Sequence, residues 1–76
     1  MNQYLNKQII QICAQDKITI PGLQRTFNIG FGKAGTIIAK AIQLKLLKDG
    51  DLIKGYKILD SLGLKNYFLK ILTRGN

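Results

Sequence analysis

The sequence predicts an α+β fold, a winged helix-turn-helix in which three helices are followed by a β-hairpin wing. Three observations lead there. Two amphipathic segments meet at Asn28-Ile29-Gly30, a break of about three residues containing glycine, as in a helix-turn-helix unit. An apolar segment of helical period precedes them, and two segments rich in β-forming residues follow. With 76 residues the chain has room for one domain, 1–76, which buries only about 60% of its unfolded surface. Hydrophobic residues make up 46%, too many for a disordered chain.

The first helix is expected over residues 4–16. Leu5, Ile9, Ile12 and Cys13 stack on one face, while Asn6, Lys7, Gln8, Gln11 and Gln15 take the other side. Asp16-Lys17 closes it. Thr19 is placed to cap the second helix, with Pro21 in the first turn, where a missing N–H costs nothing. Leu23 and Phe27 form its inner face. After the Asn28-Ile29-Gly30 turn, the third helix runs over about 31–45. Its apolar side carries Phe31, Ala34, Ile37, Ile38, Ala41 and Ile42. At about 100° per residue, Gly32, Lys33, Thr36, Lys40 and Gln43 share the opposite arc, which holds no acid.

The last third admits two readings. Lys48-Asp49-Gly50-Asp51 reads as a turn. Residues 56–59 and 67–72 are rich in β-formers and read as two strands of the wing, with the tip at 61–65. The competing reading is a final helix from Asp60, with Leu64, Phe68, Ile71 and Leu72 on one face. Gly63 weakens that helix by about 1 kcal/mol relative to Ala, which favours the hairpin.

Composition limits function. Twelve Lys/Arg stand against four Asp, a net charge of +8, with no Glu and no His. The usual near-neutral acid/base and the commonest metal ligand are missing, so neither an enzyme nor a cofactor is expected. The charge suits a polyanion. Residues 1–32 carry three bases and one acid, and residues 33–76 carry nine and three, so most of the excess follows the start of helix 3. A lone Cys13 gives no internal disulfide, and no signal-like segment or spanning apolar run is present. The expected location is cytoplasmic, with no membrane role: the first helix carries only Lys7 as a basic residue.

Gly30-Phe31-Gly32-Lys33-Ala34-Gly35 fits the dinucleotide fingerprint G-x-G-x-x-G, but the residues before it read as helix and not as a buried strand. Phosphate-loop spacing fails as well, since Phe27 and Ala34 stand where Gly and Ser/Thr are needed. The glycines are instead expected to allow the turn and the close approach of another backbone, that of helix 2 or of a DNA groove.

Within residues 19–47, the run Leu23-Gln24-Arg25-Thr26-Phe27-Asn28-Ile29-Gly30-Phe31 resembles the L-Q-R-x-F-x-I-G-Y core of the FtsK gamma domain, a winged helix that reads short oriented DNA motifs. The family continues with Asn-Arg-Ala-Ala-Arg, whose Asn and Arg face DNA. Here Gly32, Lys33, Ala34, Gly35 and Thr36 stand in those places. Lys cannot form the bidentate fork that Arg makes to guanine, so the resemblance implies the fold and not the base preference. If the chain is full length it is expected to act alone, without a motor domain, and in size, charge and architecture it then also resembles TubR-type centromere-binding adaptors of plasmids and phages. Those bind repeated DNA sites as dimers and hand the DNA to a tubulin-like filament protein.

The expected function is sequence-selective binding of double-stranded DNA, most readily as a centromere-binding adaptor in plasmid or phage DNA partition. A transcriptional repressor of a mobile element, or a protein-interaction module, is the alternative. Lys33, Thr36 and Lys40 would meet the major groove or its phosphates, and Gly32 would allow close approach. Arg25 would hold a phosphate, unless it pairs with an Asp. Lys65 and Asn66, near the hairpin tip, would touch the minor groove or backbone. Lys45, Lys48, Lys54, Lys57, Lys70 and Arg74 complete the field. A homodimer or an array on repeated sites is expected, through apolar residues such as Tyr4, Leu62 and Leu64. A filament-forming NTPase is the further expected partner.

Overall fold

A computed structural model describes residues 3–73. Arg74 lies outside them. The order of elements is α1 (Gln3–Cys13), β1 (Lys17–Ile18), α2 (Ile20–Phe27), α3 (Phe31–Gln43), β2 (Tyr56–Lys57) and α4 (Ser61–Thr73). Among the described residues the fold is thus α+β, with four helices and a small antiparallel sheet, compatible with a winged-helix-like arrangement. The expectation of three helices is corrected to four. The Cα radius of gyration is 11.2 Å, against about 11 Å for one compact domain of this length.

Helix α1 buries Ile9, Ile12 and Cys13, the face its spacing predicts, and packs on α4 and α2. It stops three residues short of the expected end. The carbonyl of Asp16 accepts from the Ile58 amide (3.0 Å), and Lys17 and Ile18 pair with Lys57 and Tyr56. Sheet pairing therefore takes the backbone that local propensity would have left helical. Gln8, expected on the solvent side, instead donates from Nε2 to the Thr26 carbonyl (2.6 Å) and ties α1 to α2.

Helix α2 begins as expected. Thr19 Oγ1 accepts from the Gly22 amide (3.0 Å), and Pro21 sits in the first turn. The helix ends at Asn28, whose left-handed backbone (φ 55°, ψ 50°) turns the chain towards α3. Asn tolerates this conformation better than most residues. Helix α3 buries Ala34, Ile37, Ile38 and Ala41. It ends at Gln43, two residues early, and Lys45 reverses the chain at φ 65°. Phe31, expected on the apolar side, is 59% exposed. As the first residue of α3 it has no preceding turn to pack against.

The hairpin exists but lies earlier in the chain than expected. Leu47 bridges Ile58, the Lys48 amide donates to the Lys57 carbonyl (2.8 Å), and Asp51 bridges Gly55. The turn is at 51–55, beyond the Lys48-Asp49-Gly50-Asp51 turn the sequence suggested. Asp51 builds the tip: its Oδ1 accepts from the amides of Ile53 (2.9 Å) and Lys54 (2.6 Å), and its carbonyl from Gly55 (2.9 Å). Gly55 has φ 84°, and a Cβ there would lie 3.0 Å from the Ile18 carbonyl oxygen, so only glycine closes this turn next to β1.

Residues 67–72 are helical, not a strand, and the competing reading of a helix from Asp60 is the observed one. Asp60 caps α4: its Oδ1 accepts from the Gly63 amide (2.9 Å) and its carbonyl from Leu64 (2.9 Å). Ser61 Oγ donates to the Cys13 carbonyl (2.8 Å). Leu64 and Phe68, four apart, are fully buried, and Phe68 meets Phe27 with ring centroids 5.7 Å apart. Gly63 helps α4 despite its low propensity, because a Cβ there would lie 2.7 Å from Leu46 Cδ2. Burial on α1 thus outweighs the β-propensity of Tyr67, Phe68 and Ile71.

Burial pushes the Cys13 thiol up to about 11, partly offset by the positive charge of Lys65. Only the neutral thiol is at ease in the fold. The unfolded thiol ionises near 9, so this contribution to stability is complete below pH 9 and is lost between pH 9 and about 11. Native protein should therefore resist alkylation by iodoacetamide at pH 8 and react once denatured. Equal rates in both states would contradict the burial.

Candidate nucleic-acid interface

The turn between α2 and α3 fixes which side of α3 faces outwards. Ala34, Ile37, Ile38 and Ala41 face the core, so the opposite side must lie in solvent. Gly32, Lys33, Thr36, Lys40 and Gln43 are all exposed or half-exposed on it. Phe31, which sequence reasoning assigned to the core, joins them at the start of the helix.

Thr36 Oγ1 donates to the Gly32 carbonyl (3.0 Å). Its proton is thereby used, and its outward lone pairs remain acceptors. In a major groove such an acceptor fits the N6 amine of adenine or the N4 amine of cytosine. Lys33 and Lys40 offer only donors. Among the described residues no ion pair forms, so neither lysine is neutralised by a carboxylate. The same holds for Arg25, which removes the Asp-paired alternative for that residue. Gly30 caps α3 with no side-chain hydrogen bond, which leaves first-turn amides at the positive end of the helix dipole.

The glycines at this end have no internal use. A Cβ on Gly30, Gly32 or Gly35 would meet nothing within 4 Å, and none of the three has positive φ. The expected close approach to α2 is therefore corrected: these glycines do not pack against the chain's own backbone. Gly30 and Gly32 flatten an open surface instead, and Gly35 lies half-buried beside it. Gly35→Ala should raise stability by about 0.5–1 kcal/mol, or roughly 5 °C in Tm. A thermal melt showing loss of stability would mean that Gly35 packs against something.

Lys65 and Asn66 are not at a hairpin tip. Both lie on α4, the helix packed on α1. The tip position belongs to Leu52, Ile53 and Lys54. Ile53 is 93% exposed, the most exposed large apolar side chain among the described residues, and Leu52 is 55% exposed. The only sequence signal for this was Asp51, an Asx-turn former, with Gly55 four residues on. Leu64, expected to supply a contact between copies, is fully buried and cannot. Leu62 (68% exposed) and Leu59 (55%) remain available.

Among the described residues no cluster of His, Cys, Asp or Glu has the makings of a metal site, and no helix is long and apolar enough to cross a membrane. No protein-family model, no curated protein and no solved structure matches the chain.

Proposed function

We propose that this chain is a winged-helix protein that binds double-stranded DNA, with α3 in the major groove. The observation that carries the reading is the outer face of α3. It combines two unpaired lysines, an acceptor-only hydroxyl and Gly32, which no internal contact requires, and it holds no acid. Gly32, in the first turn, has no internal neighbour where a Cβ would stand, so the start of this face stays low enough to admit a groove edge. Lys33 and Lys40 contact phosphates or guanine acceptors, and Thr36 accepts from an exocyclic amine. Phe31 offers an apolar surface suited to a thymine methyl. Arg25 holds a backbone phosphate, and the open amide end of α3 adds to the attraction.

The hairpin supplies the second contact. Lys54 and Ile53, held by Asp51 at the tip, reach the neighbouring minor groove in place of Lys65 and Asn66. A single module of this size buries little DNA surface, so two copies act together, joined through Leu59 and Leu62. The charge of the whole chain speeds association with DNA. The role we assign is that of a centromere-binding adaptor acting on repeated sites for a filament-forming NTPase. Pull-down of bound genomic DNA tests this: enrichment at one cluster of repeats supports it, and scattered promoters would favour a repressor. Sedimentation on a two-site duplex should show two copies of the protein, and a strict monomer would remove the pairing.

A further inference from the structure

The sequence marks Lys17 only as the end of a helix, yet the fold brings it to the same cavity as Arg25. An open cavity of about 210 Å³ lies where the end of α1, β1 and α2 meet. Lys17 from β1 and Arg25 from α2 both line it, together with Gln15, Thr26 and Gly22. No carboxylate does, and Asp16, between Gln15 and Lys17 in sequence, is not among the lining residues. Neither cation has an ion-pair partner among the described residues. Two like charges held at one concavity concentrate positive potential there and favour an anion.

We propose that this cavity is a binding site for a phosphoryl group. The donor set decides the class of anion. Arg25 presents a planar fork of N–H groups and Lys17 a compact ammonium. The Gln15 amide and the Thr26 hydroxyl add neutral donors. Four donors with two positive charges suit a group with several oxygens and up to two negative charges, more than they suit a carboxylate. The volume exceeds by far the roughly 10–15 Å³ that one water needs, so it has room for a phosphate with part of its hydration shell. Gly22 leaves room for the capping hydroxyl at the cavity wall, since a Cβ there would lie 2.8 Å from Thr19 Oγ1.

The phosphoryl group has two sources, a phosphodiester of a DNA duplex or a free phosphorylated small molecule. The site itself does not depend on the DNA reading. Its test is an amide NMR titration of the full chain with sodium phosphate, at ionic strength held constant with sodium chloride. The amides of Lys17, Gly22, Arg25 and Thr26 should shift along one saturable curve. The K17A/R25A variant should bind phosphate at least about tenfold more weakly, as expected for loss of charge-assisted hydrogen bonds. K7A, on α1 away from the cavity, should match the unmodified chain. The spectra also report whether each variant is folded. Linear shifts without saturation, or a K17A/R25A curve that superimposes on the unmodified one, would overturn the site. Duplex is then added to the phosphate-loaded protein. Displacement of phosphate assigns the site to a DNA phosphodiester, and retention assigns it to a free ligand. A chain that binds phosphate here and no duplex at all would keep this site while removing the DNA reading.

Discussion

Replacing Lys33 and Lys40 with glutamate should weaken duplex binding by at least a hundredfold and leave the fold intact. Each lysine contributes a charge-assisted hydrogen bond worth about 1.5–3 kcal/mol, so the pair is worth roughly 3–6. Reversal adds repulsion from the same phosphates. The salt slope should also become shallower by about 1.8, because each phosphate that a lysine neutralises adds about 0.9 to it. Stability should change little, because both side chains are exposed and unpaired. Glu at 33 sits favourably in the first turn of α3, and Glu at 40 less so in the last, which nearly cancels. Fluorescence anisotropy and a circular-dichroism melt on the same sample separate the two effects. Undiminished binding by a folded K33E/K40E protein would exclude α3 as the reading helix.

The largest effect on folding should come from Phe68→Ala. Phe68 is fully buried and packs on Phe27, joining α4 to the α2 side of the core. Emptying such a site costs about 3–5 kcal/mol. A domain of this length has about 4–11 kcal/mol in total, so the variant should lose most of its stability and show residual unfolding even without denaturant. Tyr67→Ala, at a half-buried neighbour, should cost clearly less. Urea titration followed by circular dichroism measures both. Similar midpoints for the two variants would mean that α4 does not present Phe68 inwards.

That contrast also marks where sequence and structure part. Thr19, Pro21, Asn28 and the buried face of α3 were legible because each acts locally: a cap, a fixed φ, a left-handed residue, a 3.6-residue period. The end of α1 was not, because Asp16 and Lys17 are claimed by a strand some forty residues away in sequence. Residues 67–72 carry β-formers whose preference yields to burial on α1, and no local signal reports that burial. The true hairpin was hidden for the opposite reason. Its tip exposes Leu52 and Ile53, so its apolar pattern contradicts the alternation by which strands are recognised.

The candidate interface divides in the same way. Lys33, Thr36 and Lys40 follow from helical geometry alone, and the structure keeps them on one outward face. Phe31 was misplaced because hydrophobicity argues for burial, whereas the first residue of a helix has little to bury against. Lys65 and Asn66 depended on the hairpin's position and moved with it. The grouping of Lys17 with Arg25 needed the β1–β2 pairing, which sequence reasoning did not find.

The DNA reading stands most directly on the salt dependence of duplex binding. Anisotropy of a labelled duplex, recorded between 50 and 300 mM KCl, gives the slope of log K against log salt. Six phosphate contacts from the exposed lysines, Arg25 and the hairpin predict a slope of about −5. A slope near zero, or no binding at the lowest salt, would mean that the +8 charge serves some partner other than DNA.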